Sequence, residues 1–296
     1  MKNNKVKLLL ALVGGSLFLN ACYKEFDPKS YAPKLSINGY SSSNEIQPSH
    51  LISFWGFNGN TTDSLTNDAG TPVSVGFTKG VKGQAYQGSA NGYSLYSPSS
   101  AFTNLHSYTI AFWMNTSVTN GAIGIFTLAR TDDFWGNVDI FTDGPSGTDK
   151  MVFKCHMYND NVSWGGQFID TKIKYGNWTH IAITYDAATS VFNIYQDGAV
   201  LKVNSAGNPS DQEGPVLNGS DPSNPPVTPY GDIHFKNATA GVFGAFQFMT
   251  NPALNGGTSQ PWAHDYEGAL DEFRIYDAAL TPIEVSSLFL LEGRGK

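Results

Sequence analysis

The sequence predicts an all-β protein, a two-sheet antiparallel β-sandwich closed by a short C-terminal helix. Three observations predict it. From Leu51 to Tyr276 the apolar and aromatic residues come in short runs with alternating polarity, as half-buried strands require. Gly, Asn, Asp and Pro interrupt those runs, and these residues make turns. No helical-period segments alternate with the runs, so a parallel sheet of βαβ units is disfavoured. Residues 50–296 suffice for one sandwich with elaborated loops, and no internal repeat is visible.

The clearest strand patterns are Ile52–Phe57, Tyr108–Thr116, Ala122–Arg130, Val138–Phe141, Met151–Tyr158 and Trp178–Tyr185. Val191–Tyr195, Asp232–Lys236, Gly241–Phe248 and Ala269–Tyr276 continue the series. Asp186–Ser190 reads as a hairpin loop, and Gln196-Asp197-Gly198-Ala199 as a tight turn into Val200–Val203. The segment Asn204–Tyr230, rich in Pro and Gly and poor in hydrophobes, reads as a long surface loop. At the C-terminus Thr281 caps, Pro282 suits the first helical position and Glu284 completes a capping box. Val285, Leu288 and Phe289 follow at helical spacing, which places one apolar stripe against the sandwich.

The N-terminus carries a separate message. Lys2, Lys5 and Lys7 precede the apolar run Leu8–Leu19, the layout of a secretion signal. The run is too short to cross a bilayer as a helix, which takes about 20 residues. It ends in Leu19-Asn20-Ala21-Cys22, which resembles the lipobox of bacterial lipoproteins. That resemblance implies residues 1–21 as a signal peptide, an acylated Cys22 anchored in the membrane, and an outer-membrane, surface-exposed location. Residues 22–49, with Pro28, Pro33 and Pro48 and no sustained period, read as a tether. Lys24, Glu25 and Asp27 resemble a surface-export signal, and an ordinary solvated linker reads the same way. Cys155 lies in an alternating strand pattern and reads as a small buried hydrophobe; no disulfide framework is expected. Removing residues 1–21 moves the formal charge from −7 to −10, and no Lys/Arg cluster remains. Nucleic acid, bound by neutralising phosphates, is therefore not an expected partner.

Three stretches resemble the laminin-G-like, concanavalin A-like lectin jelly rolls. They are Leu51-Ile52-Ser53-Phe54-Trp55-Gly56-Phe57-Asn58-Gly59-Asn60 with Asp63-Ser64, then Asn177-Trp178-Thr179-His180-Ile181-Ala182-Ile183-Thr184-Tyr185-Asp186, and Gly268–Tyr276 leading to Ala279-Leu280-Thr281. Their order implies one jelly-roll domain over residues 50–296. The resemblance also implies a structural Ca2+ between the first turn and the closing strand. Asp63 and Asp271 would supply carboxylates, with amide or backbone oxygens from Asn58 and Asn60. Asn58 stands where the family frequently has Asp, which lowers the charge of that set. Turn chemistry at Asp63 and a capped strand end at Asp271 explain the same residues without a metal.

Catalytic patterns are weak. The β-glucan hydrolases of this fold carry carboxylates two and four or five residues apart on one strand, and no Glu-x-Asp-x-Glu run occurs. Asp265 and Glu267 come nearest. His180, alternating with Trp178, reads as a hydrogen-bonded structural residue. Trp55, Trp113 and Trp178 fall in apolar-alternating strands and belong to the core. Trp135, Trp164 and Trp262 are flanked by polar residues, Gly or Ala, and read as loop positions. Sugar rings stack their C–H faces on such aromatics, so these three are the expected ligand-binding residues; plugging the ends of the sandwich would use them equally well. The segments Phe134–Ile140 and Gly244–Phe248, with Gln260-Pro261-Trp262, also resemble surface lipoproteins of glycan-utilisation systems. The expected function is non-catalytic glycan binding. The alternatives are a protein-interaction or adhesion module and, behind it, a glycoside hydrolase with an unrecognised site.

Overall fold

In the computed structural model the described residues are 35–116, 121–144, 150–160, 171–174, 176–201, 217–218, 228–229 and 231–296. The expected signal segment, Cys22 and Trp164 lie outside them. Ser36–Lys296 form one compact unit.

The strands, in chain order, are β1 (Leu51–Trp55), β2 (Thr71–Val73), β3 (Gly76–Lys79), β4 (Gln84–Gln87), β5 (Tyr93–Tyr96), β6 (Tyr108–Asn115), β7 (Gly121–Arg130), β8 (Val138–Gly144) and β9 (Lys150–Met157). They continue as β10 (Thr171–Lys174), β11 (Thr179–Asp186), β12 (Val191–Gln196), β13 (Ala199–Val200), β14 (Leu217–Asn218), β15 (Thr228–Pro229), β16 (Ala238–Phe243), β17 (Ala263–Asp265) and β18 (Ala269–Tyr276). Helix α1 spans Ser100–Thr103 and α2 spans Pro282–Glu292. One sheet runs β13-β12-β11-β6-β18-β4-β3, with β1 also on β18; the other runs β10-β9-β8-β7-β16-β5-β2, with β17 also on β7. Apart from the parallel β17–β7 pair, every pairing is antiparallel. This is the predicted sandwich.

Alternation places the core. In β8 and β9, Val138, Ile140, Phe153, Cys155 and Met157 point between the sheets and meet Ile110, Phe112, Ile181, Ile183 and Phe273. Cys155 is buried there, and burial raises its thiol pKa, so it behaves as the expected hydrophobe. Trp55 and Trp113 are buried as predicted, while Trp178 is only half-buried. Two sheets need a register correction in their central strands. Leu270 and Phe273 both face the core although three residues apart, because β18 bulges between Asp271 and Arg274 with Glu272 at φ +47°. A similar irregularity in β7, between Gly124 and Phe126, lets both Ile125 and Phe126 face inward.

Several expectations are corrected. The region Asp232–Lys236 is not a strand, and the strand expected over Gly241–Phe248 stops at Phe243. Strands β2 to β5 were not expected. The turn at Asp197-Gly198 forms as read, with both residues at positive φ, the type I′ geometry. Within Asn204–Tyr230 the described residues are those of β14 and β15, which pair with each other. Residues 36–49, expected as part of a tether, pack onto the sandwich: Ile37, Ser43 and Ile46 are buried.

Arg274 explains that packing. Its guanidinium is buried and donates to Glu292 Oε1 at 2.7 Å, to Glu272 Oε2 at 2.8 Å, and to Asn44 Oδ1 and Ser43 Oγ at 3.2 Å. Its face covers the Phe54 ring at 4.0 Å, and Trp113 Nε1 donates to Glu292 at 2.8 Å. Burial raises the Glu292 carboxyl above the ordinary range while Arg274 draws it back. One buried cation thus joins the N-terminal segment, the closing strand and α2. Helix α2 forms the expected capping box through Thr281 and Glu284.

Removing one partner of a buried ion pair strands the others, at a cost of about 3–5 kcal/mol. Losing an N-cap costs about 1 kcal/mol. R274A should therefore lower unfolding stability in urea several times more than T281A does. Comparable losses in the two variants would contradict the assignment of Arg274 as the hub.

Candidate functional site

The outer face of the second sheet carries an aromatic layer. Alternation turns Asp139, Phe141 and Asp143 of β8, and Lys154 and His156 of β9, away from the core. Phe246 and Phe248 lie just after β16, Phe134 and Trp135 in the β7–β8 loop, and Trp262 just before β17. Trp135 stands 6.0 Å from Trp262, ring centre to ring centre, and 5.8 Å from Phe141. Phe134 stacks on Phe248 at 4.3 Å, and Trp262 lies 5.7 Å from Phe248. Each such pair contributes about 0.5–1.5 kcal/mol beyond the area it buries. Phe141, Phe246 and Phe248 are buried, Phe134 and Trp135 half-buried, and Trp262 is 41% exposed.

Polar contacts fix the β7–β8 loop that presents Trp135. The Gln247 side chain, wholly buried, donates to the Asp133 and Phe134 carbonyls at 2.9 Å and accepts from Arg130 N at 2.7 Å. Asn255 Nδ2 donates to the Asp133 carbonyl at 3.1 Å. Asp139 accepts from Gly136 N and Thr127 Oγ1, both at 2.8 Å, and its Oδ2 lies 3.3 Å from His156 Nδ1. The Arg130 guanidinium grips Asp132 through two bonds of 2.8 and 2.9 Å and holds that carboxyl well below the usual range. At the rim, Lys154 Nζ pairs with Asp143 at 2.8 Å and lies 5.9 Å from the Phe141 ring centre.

Of the three tryptophans expected to bind ligand, Trp135 and Trp262 thus come together and Trp164 lies outside the described residues. Sequence reasoning did not assign Phe141, Lys154 or His156 to this face. Their signal was present: Lys154 and His156 alternate with Phe153, Cys155 and Met157, which puts both polar side chains on one outward row.

The four residues expected around calcium all accept hydrogen bonds from nearby backbone amides. Asn58 Oδ1 accepts from Gln84 N at 2.8 Å and Asp271 Oδ2 from Lys82 N at 2.9 Å, so both flank the Gly80–Gln84 turn. A Cβ on Gly80 would collide with Asp271 Oδ2, and one on Gly83 with Asn58 Oδ1, so the two glycines make this approach possible. Asn60 stays beside Asn58, its Nδ2 donating to the Asn58 carbonyl at 3.4 Å while its Oδ1 accepts from Thr62 N, and Asp63 Oδ1 accepts from Phe54 N and Leu65 N. Asn60 and Asp63 thus perform the turn chemistry that competes with ligation, and all four residues carry oxygen donors of the type calcium takes. Asp265, once a remote catalytic candidate, accepts from Asn91 N at 2.8 Å. His180, expected to be hydrogen-bonded through its ring, has neither ring nitrogen so engaged among the described residues, its Nε2 standing 3.8 Å from Glu292 Oε2; burial pushes its pKa down to about 3 and keeps it neutral.

Burial lifts the Asp271 carboxyl to about 7. An acid whose pKa rises on folding holds its proton more tightly when folded, so its contribution to stability falls as pH climbs from about 4 to 7. In urea titrations the stability of the native chain relative to D271N should decline across that window. Parallel pH profiles would contradict the burial assigned to Asp271.

A family model described as the concanavalin A-like lectin/glucanases superfamily matches residues 87–234. Among solved structures the chain is similar to domain 4 of AbnA, an extracellular arabinanase of Geobacillus stearothermophilus, in complex with arabinotriose. That match has 19% identity and a TM-score of 0.50, and covers 81% of this chain and 98% of that one. A structure of botulinum neurotoxin type C, whose cell entry depends on two ganglioside molecules, matches at 12% identity and a TM-score of 0.54, over 85% of this chain and 53% of that one. Trypanosoma rangeli sialidase matches at 12% identity and a TM-score of 0.50, over 88% of this chain and 35% of that one. No curated protein matches by sequence. Half of the chain falls within the family match and the sandwich has the corresponding architecture, so the protein belongs to the concanavalin A-like lectin/glucanase superfamily.

Proposed function

We propose that this chain is a non-catalytic, carbohydrate-binding surface lipoprotein that captures glycans on the aromatic layer of its second sheet. The observation that carries the reading is the convergence of Trp135 and Trp262 at 6.0 Å, with Trp262 left 41% exposed on a face that is otherwise covered. Exposed rings accept the C–H faces of a sugar, and the rim supplies hydrogen-bonding groups in Asp133, Lys154 and Asn255. The loop is held rigid by Gln247 and Asp139, which lowers the ordering cost of binding.

The carboxylates of this face support binding over hydrolysis. A glycoside hydrolase needs two facing carboxyl groups, one of them free to protonate a leaving group. Asp132 is committed to Arg130, Asp143 to Lys154, and Asp139 to Thr127 and Gly136. Superfamily membership, the arabinanase domain solved with arabinotriose and the ganglioside-dependent neurotoxin support a glycan as the ligand. The lipobox-like Leu19-Asn20-Ala21-Cys22 supports acylation at Cys22 and attachment to the bacterial outer membrane, facing outward. Calcium held by Asn58 and Asp271 would bind the first turn to the closing strand, a structural role remote from the sugar.

A glycan array probed with the full chain tests the reading, followed by calorimetry on the best glycan. W135A and W262A should each weaken binding about tenfold or more, ~1.4 kcal/mol per decade, while I283A on α2 leaves it unchanged. A calcium chelator should lower the melting temperature without selectively removing glycan affinity. Binding that survives both tryptophan changes would move the site elsewhere. No glycan bound by the folded chain would make a protein partner the better occupant of the aromatic face.

A further inference from the structure

We infer that His106, Asp232 and His234 form a binding site for a Zn2+-class divalent ion, separate from both the aromatic layer and the Asn58–Asp271 turn. The ligand atoms of these three residues all lie within 4.8 Å of one another, and the group is the one cluster of its kind among the described residues. The imidazole rings of His106 and His234 are 5.1 Å apart, centre to centre, and His106 Nδ1 lies 4.0 Å from Asp232 Oδ2. Two imidazoles and a carboxylate suit zinc and its borderline neighbours; calcium, which takes oxygen ligands, is poorly served by them.

The backbone carrying the three side chains is already fixed. His106 lies in the turn between α1 and β6, and Asp232 and His234 in the run leading to β16. The two segments bond to each other: Ile233 N donates to the His106 carbonyl at 3.4 Å, and His106 Nδ1, 3.2 Å from the Ile233 carbonyl, donates its proton there and leaves Nε2 to take the ion. Ile233 is buried in the core, which leaves its two neighbours on the outside. Asn159 accepts from His234 N at 3.1 Å and donates to the Asp232 carbonyl at 3.3 Å. Gly231 N donates to Ser190 Oγ at 2.8 Å.

Only side-chain rotation is then needed to close the site. Ligands about 2.0–2.1 Å from a tetrahedral ion stand roughly 3.4 Å apart, so each donor has on the order of 1 Å to travel. His106 and Asp232 have room for that, their side chains being 53% and 62% exposed. The remaining coordination position faces solvent and takes water. Bound there, the ion would clamp the turn before β6 to the approach of β16, whose far end leads into the aromatic layer.

Calorimetric titration of the untagged, chelator-stripped full chain with ZnCl2 tests this inference. One ion per chain with a micromolar or tighter dissociation constant is expected, together with a higher melting temperature. H106A and H234A should each weaken binding at least tenfold and D232N several-fold, whereas H264A, at another exposed histidine, should leave it unchanged. Millimolar CaCl2 should not compete. Absence of saturable binding, retention of full affinity in both H106A and H234A, or displacement by calcium would each overturn the assignment. Glycan binding is measured separately, so its failure would leave this result standing.

Discussion

The rest of the structure depends on one constraint: the central strands of both sheets are buried on both faces. Every residue of β18 is buried, and so is every residue of β7 after Gly121. An antiparallel sandwich can leave its outer faces to water when they are polar. Here the outward rows are buried as well, charged residues such as Asp139, Glu272 and Arg274 included, so each sheet must acquire a second cover besides the other sheet. The first sheet is covered by α2 and the 36–46 segment, the second by the chain after β16 together with the β7–β8 loop.

The two covers solve the problem with different chemistry. Over the first sheet a single buried guanidinium is surrounded by acceptors, and the rings there are engaged: Trp113 donates to Glu292 and the half-buried Phe54 lies under Arg274. A cover of this kind is specific and closed. Over the second sheet the cover is made of aromatic rings, and it stops short of completeness at Trp262. A large exposed aromatic beside half-buried ones leaves an incomplete apolar surface, and it is this surface that the proposed glycan site uses. Function on this reading is the unfinished part of a packing problem, held rigid because the finished part beneath it is.

What was legible in the sequence follows from length and locality. The long strands β6, β7, β9, β11 and β18 display enough alternation to be read directly, and the capping box of α2 lies within four residues. Strands β2 to β5 have only three or four residues each, too few to establish a period, and Pro72 interrupts the first of them. The packing of residues 36–49 was not legible because it depends on Arg274, far along the chain, rather than on local hydrophobicity. At the site, Trp135 and Trp262 were recognisable as loop residues by their polar and small neighbours, but their meeting is a tertiary event. Asp63 was recognisable as an oxygen donor and is used by nearby backbone amides, a competition that spacing alone does not decide.

The most direct measurement of the central claim is a crystal structure of the chain with the tightest-binding glycan from the array. The account predicts a sugar ring lying flat against Trp262 or Trp135, with its hydroxyls reaching the Asp133, Asn255 or Lys154 side chains and the β7–β8 loop unmoved. A sugar bound at the Gly80–Gln84 turn or on the first sheet, with the aromatic layer left untouched, would contradict it.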